Sequence, residues 1–101
     1  MQTDPNQFKK SQSQSQSWDS VSKGWQTWWK TIENGAQTIS NKLVELANIK
    51  SGDKILDIAT GIGEPAITAA KRVDSDGRVL ATDISPLMLS IAKQRAASLA
   101  L

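Results

Sequence analysis

The chain has 101 residues, enough for one small domain, and its 39% of hydrophobic residues permit a core but not a generous one. It contains neither cysteine nor histidine. Disulfide scaffolds, Cys-ligated metal sites, thiol nucleophiles, imidazole bases and histidine metalloprotease motifs are therefore excluded.

The net charge is +2, and the basic excess is diffuse within the first fifty residues. Only Lys9-Lys10 and Lys71-Arg72 are adjacent basic pairs, too few for the concentrated stripe that nucleic-acid binding needs. No apolar run approaches the ~20 residues of a transmembrane helix. The polar start (Gln2, Thr3, Asp4, Asn6, Gln7) carries no signal-peptide pattern, so a cytoplasmic protein is expected.

Residues 1–17 end in the alternating tract Ser11-Gln12-Ser13-Gln14-Ser15-Gln16-Ser17 and offer little to bury, so a disordered tail is expected there. From Trp18 to Glu33, the residues Trp18, Val21, Trp25, Trp28 and Ile32 recur at three- and four-residue spacing, one helical stripe. Asn34-Gly35 reads as its stop. Three readings of this tryptophan helix stay open: docking on a core, a lid over a ligand pocket, or contact with a membrane or partner. A membrane helix usually carries excess Lys and Arg on its polar face, which this one lacks. A second helix is predicted over Thr38–Asn48, with Ile39, Leu43, Leu46 and Ala47 on one face. Residues 18–49 thus read as a helical cap.

After Ser51-Gly52-Asp53, the run Lys54–Ala59 reads as a buried strand. Thr60–Glu64 is a glycine-containing turn, and Pro65 opens a helix through Ala66, Ile67, Ala70 and Val73. Asp76-Gly77 turns the chain into a second strand, Arg78–Asp83. Ser85 then caps a helix opening at Pro86. Strand, turn, helix, strand, helix implies a parallel pair with a right-handed crossover. Parallel sheets need several strands and cover on both faces. Residues 50–101 are accordingly expected to be an incomplete, truncated domain at the front of a larger α/β fold.

The chemistry concentrates in Asp57-Ile58-Ala59-Thr60-Gly61-Ile62-Gly63-Glu64-Pro65-Ala66, with Asp83 at the end of the next strand. Glycines after a strand let a ligand approach the backbone, and a helix N-terminus offers amides to it. Asp83 is placed to accept hydrogen bonds from a ribose diol. The G-x-G-x-x-G/A match is weak by itself; a tight turn needing glycine for geometry alone, with Asp83 as a cap, would look the same. Glu64 at a helix start reads as an acid favoured by the macrodipole rather than a catalytic group. Two nucleotide-binding classes fit: a dinucleotide (NAD) oxidoreductase and a methyltransferase.

The run Lys54–Gly63, with an acid inside the strand and two helices before it, resembles the first motif of class I S-adenosylmethionine (SAM)-dependent methyltransferases. Arg78–Ser85 with Met88-Leu89 is similar to that family's second strand and following helix. More narrowly, the chain resembles the ubiquinone/menaquinone biosynthesis C-methyltransferases, strongly over residues 50–95 and loosely over 18–49. The resemblance implies the N-terminal portion of a Rossmann-like class I methyltransferase fold, two helices followed by β-α-β-α. It also implies SAM as cofactor and a small-molecule or lipid, quinone-like acceptor. By position, it places the backbone of Ala59, Gly61 and Gly63 against the methionine part of the cofactor. Asp57 would orient the loop and the cofactor's amino group, and Asp83 would hold the ribose. Ile84 and Met88 would border the adenine, although core packing explains those two as well. Ala59 stands where the family motif often has glycine and is read as tolerated. No general base stands out. The 101 residues alone are expected to hold about half of a cofactor site and to be inactive; the acceptor and oligomeric state are not legible.

Overall fold

A computed structural model describes residues 5–101. Its elements run α1 (Pro5–Thr27), α2 (Trp29–Leu46), β1 (Lys54–Ile58), α3 (Ala66–Val73), β2 (Arg78–Thr82) and α4 (Pro86–Ser98). The two strands pair in parallel, from Lys54 opposite Arg78 to Ile58 opposite Thr82. This agrees with the α/β architecture read from residues 54–98.

The N-terminal third departs from the sequence reading in three ways. First, residues 5–17, expected as a disordered tail, are helical and form the first half of α1; residues 1–4 of that tail lie outside the described residues. Once the tryptophan segment is docked, adding residues to an existing helix costs little. Tertiary hydrogen bonds also hold this helix: Ser15 Oγ donates to the Ile84 carbonyl at 2.9 Å, and Asp19 accepts from Ser85 Oγ and from the Leu87 N–H. Second, the helical break falls at Trp28, and Asn34-Gly35 lies inside α2. A straight helix over both segments would be about 61 Å long at 1.5 Å per residue, whereas the longest dimension of the molecule is 42 Å. The chain must therefore bend, and it does so where two tertiary contacts pull apart: α1 lies against α4 and α2 against α3. Packing of α2 outweighs the roughly 1 kcal/mol that Gly35 costs inside a helix.

Third, the buried face of α2 is Ser40 and Val44, while Ile39, Leu43 and Leu46 are exposed. Val44 joins Ile49, Ala69 and Val73 in a core closed by Ile55 and Val79 from the inner face of the sheet. A second cluster, Ile62, Met88 and Ile91, is sealed by Trp29. The opposite sheet face is bare: Leu56, Ile58 and Leu80 are 59%, 73% and 64% exposed. Among the described residues no helix is long and apolar enough to cross a membrane.

Candidate functional site

Parallel pairing brings the carboxyl ends of β1 and β2 side by side, and the two following turns meet there. The Thr60 N–H donates to the Thr82 carbonyl at 2.8 Å, extending the ladder one step past the strand end. The Gly61 N–H then donates to Asp83 Oδ2 at 2.7 Å, and the Ser85 N–H to Oδ1 at 2.9 Å. Asp83 thus ties the glycine turn to the start of α4, and each oxygen retains a lone pair for a further donor.

Above this junction lies a cavity of about 380 Å³, within the roughly 300–1,000 Å³ typical of small-molecule sites. Ala59, Gly61, Asp83, Ile84 and Met88 line one side. The other side is built by the N-terminal helices, with Trp18 and Trp25 from α1 and Trp29, Glu33, Gln37 and Ser40 from α2. Three tryptophans therefore wall a pocket. The stripe expected from spacing included Val21 and Trp28, but these are 47% and 64% exposed. The bend at Trp28 turns Trp29 inward in its place.

Two of the seven residues singled out in the sequence do not reach this wall. Gly63 faces away: a Cβ there would come within 2.8 Å of Ile67 and 3.4 Å of Ala92. Its absent side chain leaves room beside the turn for Ile67 of α3 and Ala92 of α4, and its φ of +113° also demands glycine. Asp57 lies beneath the loop, where Oδ2 accepts from Thr60 Oγ1 at 2.7 Å and from the Ala66 N–H at 3.0 Å. It is the cap of α3, a role Pro65 cannot fill. Glu64, read as an acid favoured at a helix start, accepts from Thr68 Oγ1 at 2.7 Å and faces Arg95 at 3.9 Å.

Gly61 has φ +60°, and a Cβ built on it would meet no protein atom within 4 Å, so the loop presents bare backbone to the cavity. Ala59 also adopts positive φ, +63°. This conformation costs an alanine roughly 1 kcal/mol or more. The methyl at Ala59 is accommodated but strained, a correction to its reading as simply tolerated.

The helix N-terminus is not an open anion cradle. Asp57 occupies the Ala66 amide, and the Thr60 carbonyl accepts the amides of Gly63 and Glu64 at 3.0 and 3.3 Å. The charged residues lining the cavity are Glu33, Glu64 and Asp83, with no Lys or Arg among the described lining residues. Such a wall suits a ligand bearing hydroxyls and positive charge and repels a pyrophosphate.

Sequence spacing did not single out the groups that brace the pocket. Arg95 on α4 donates to the Ile62 carbonyl, and its guanidinium carbon lies 3.3 Å from the centre of the Trp29 ring. Burial pushes this guanidinium below its ordinary value, opposed by the carboxylates of Glu64 and Glu33. Asp19 on α1 accepts from the Ser85 hydroxyl and, at 3.2 Å, from the Leu87 N–H. The only local signal for these contacts was the N-cap Ser85, whose Oγ accepts the Met88 N–H at 3.1 Å.

A parallel β-α-β-α unit with a nucleoside-sized cavity at its carboxyl edge is the N-terminal portion of a Rossmann-like, SAM-dependent methyltransferase fold. A crystal structure of a SAM-dependent methyltransferase from Aquifex aeolicus superposes with a TM-score of 0.56 at 29% identity, over 61% of this chain and 33% of that one. A ubiquinone/menaquinone biosynthesis C-methyltransferase of Neisseria meningitidis is 44% identical over 52 residues, which is 52% of this chain and 21% of that protein. The corresponding protein of Xylella fastidiosa is 40% identical over the same shares. The match thus spans about a fifth of the length of these curated relatives. The profile of the ubiE/COQ5 methyltransferase family matches residues 7–101, and the chain belongs to that family. The family and the structural neighbour imply S-adenosylmethionine as cofactor.

Proposed function

We propose that this chain supplies the cofactor-binding part of a methyltransferase acting on a small, quinone-like or lipid acceptor. The observation that carries the reading is the junction of Gly61 and Asp83 beneath a pocket whose wall bears carboxylates and aromatic rings. Asp83 would accept the ribose hydroxyls on its remaining lone pairs, and the bare backbone at Ala59 and Gly61 would border the methionine portion. Ile84 and Met88 would flank the adenine. Asp57 shapes the loop from below, and Gly63 leaves room for Ile67 and Ala92 beside the turn. The bound cofactor would supply an activated methyl on a sulfonium, with the S–CH₃ electron pair leaving on a neutral thioether. This chain's residues then have chiefly to position the partners and keep water out. Trp18, Trp25 and Trp29 provide an aromatic wall.

The quinone-like acceptor follows from the names of the relatives and from the aromatic wall. The bare sheet face at Leu56, Ile58 and Leu80, with the much greater length of the relatives, supports further α/β elements in the complete enzyme. Those elements would carry the rest of the acceptor site. Thermal-shift titration of the 101-residue chain with S-adenosylhomocysteine and with NAD tests the cofactor reading. Stabilisation by S-adenosylhomocysteine and none by NAD is expected; a preference for NAD overturns it.

A further inference from the structure

Resting on the cofactor site just proposed, we infer that Glu33 is a specificity residue that makes the pocket prefer the cationic cofactor to its neutral product. Methyl transfer turns a sulfonium into a thioether, so the ligand loses one positive charge at its centre while keeping its other groups. A pocket can distinguish the two through contacts with the methyl itself or through charge near that centre, and a ligand with an ammonium in place of the methylsulfonium isolates the charge. The three carboxylates of the wall differ in what already occupies them. Asp83 accepts two backbone amides, at 2.7 and 2.9 Å. Glu64 accepts from Thr68 Oγ1 and is matched by Arg95.

Glu33 accepts no hydrogen bond among the described residues, is half-buried, and lines the cavity from α2. Arg95, which also feels the Glu33 carboxylate, lies outside the wall, held by the Ile62 carbonyl, the Trp29 face and Glu64. The lining therefore keeps a net negative charge, with Glu33 its least compensated member. Trp18 and Trp25 also line the cavity, and an aromatic wall suits a cation better than a neutral thioether. In a half-buried cleft, one such unit charge corresponds to about a tenfold difference in affinity.

Calorimetric titration of the full chain with S-adenosylmethionine, S-adenosylhomocysteine and sinefungin (an ammonium replaces the methylsulfonium) tests this. Expected are about tenfold tighter binding of both cationic ligands than of S-adenosylhomocysteine, and a ratio that shrinks at high ionic strength. Glu33→Gln should bring the ratio close to one. Glu45→Gln makes the same charge change on an exposed residue paired with Lys42 and should leave the ratio intact. Equal binding of the three ligands by the unmodified chain, or a preference that survives Glu33→Gln, overturns the inference while leaving the cofactor site standing. Failure of all three to bind overturns the cofactor reading and the inference with it.

Discussion

The backbone N–H of Gly61 donates to Asp83 Oδ2 at 2.7 Å, joining two turns that are 22 residues apart in the chain. The same carboxylate accepts the Ser85 N–H on its other oxygen, so one side chain fixes the glycine turn, the start of α4 and the floor of the pocket. Asp83→Asn replaces one acceptor with an NH₂ group that cannot serve a backbone amide. Its expected cost is about 1–2 kcal/mol of stability, because a part-buried amide loses its partner. Affinity for S-adenosylhomocysteine should fall at least about tenfold, since a ribose acceptor is lost as well. Urea unfolding and calorimetric titration check the two effects separately.

Ala59 holds a left-handed backbone, φ +63°, at the cavity wall. Glycine adopts that conformation without the Cβ clash, though its unfolded chain is more flexible. Ala59→Gly should therefore stabilise the chain by about 0.5–1 kcal/mol, read as a higher urea midpoint with unchanged slope. A lower midpoint would show that the alanine is not strained.

Arg95 links α4, the glycine turn and the first turn of α2 through the Ile62 carbonyl, Glu64 and Trp29. A double-mutant cycle of Arg95→Met with Trp29→Leu should give a coupling energy of about 1 kcal/mol, as expected for a desolvated cation over an indole face. Additive effects of the two substitutions would show that the stacking contributes nothing beyond packing.

Asp19 ties α1 to the start of α4 through Ser85 Oγ and the Leu87 N–H. Ser85 is fully buried, so Asp19→Ala strands its hydroxyl and weakens the helix cap, with an expected cost of about 1–2 kcal/mol. Because α1 carries Trp18 and Trp25 into the cavity wall, S-adenosylhomocysteine binding should weaken in parallel. Limited proteolysis should show earlier cleavage within residues 5–27; unchanged protection of that segment would refute the tether.

The sequence alone determined the β-α-β-α unit of residues 54–98, because its signals are local. The apolar strand runs, the Asp76-Gly77 turn and the Ser85-Pro86 helix start each act over a few residues. The meeting of Gly61 and Asp83 followed from that pattern, since parallel strands joined by one helix must end side by side. In the N-terminal half, where helices were legible over residues 18–33 and 38–48, tertiary structure decided where the helices break and which faces they bury. Apolar spacing of three and four along residues 18–48 is compatible with more than one buried face, and a shift of one residue turns a helix by about 100°. The choice of Trp29 over Trp28, and of Ser40 and Val44 over Ile39 and Leu43, was made by what α4, α3 and the sheet offered to pack against. Asp19 with Ser85 and Arg95 with Ile62 are separated by 66 and 33 residues. No local spacing encodes such pairs, because their energy appears only once the distant segments have docked.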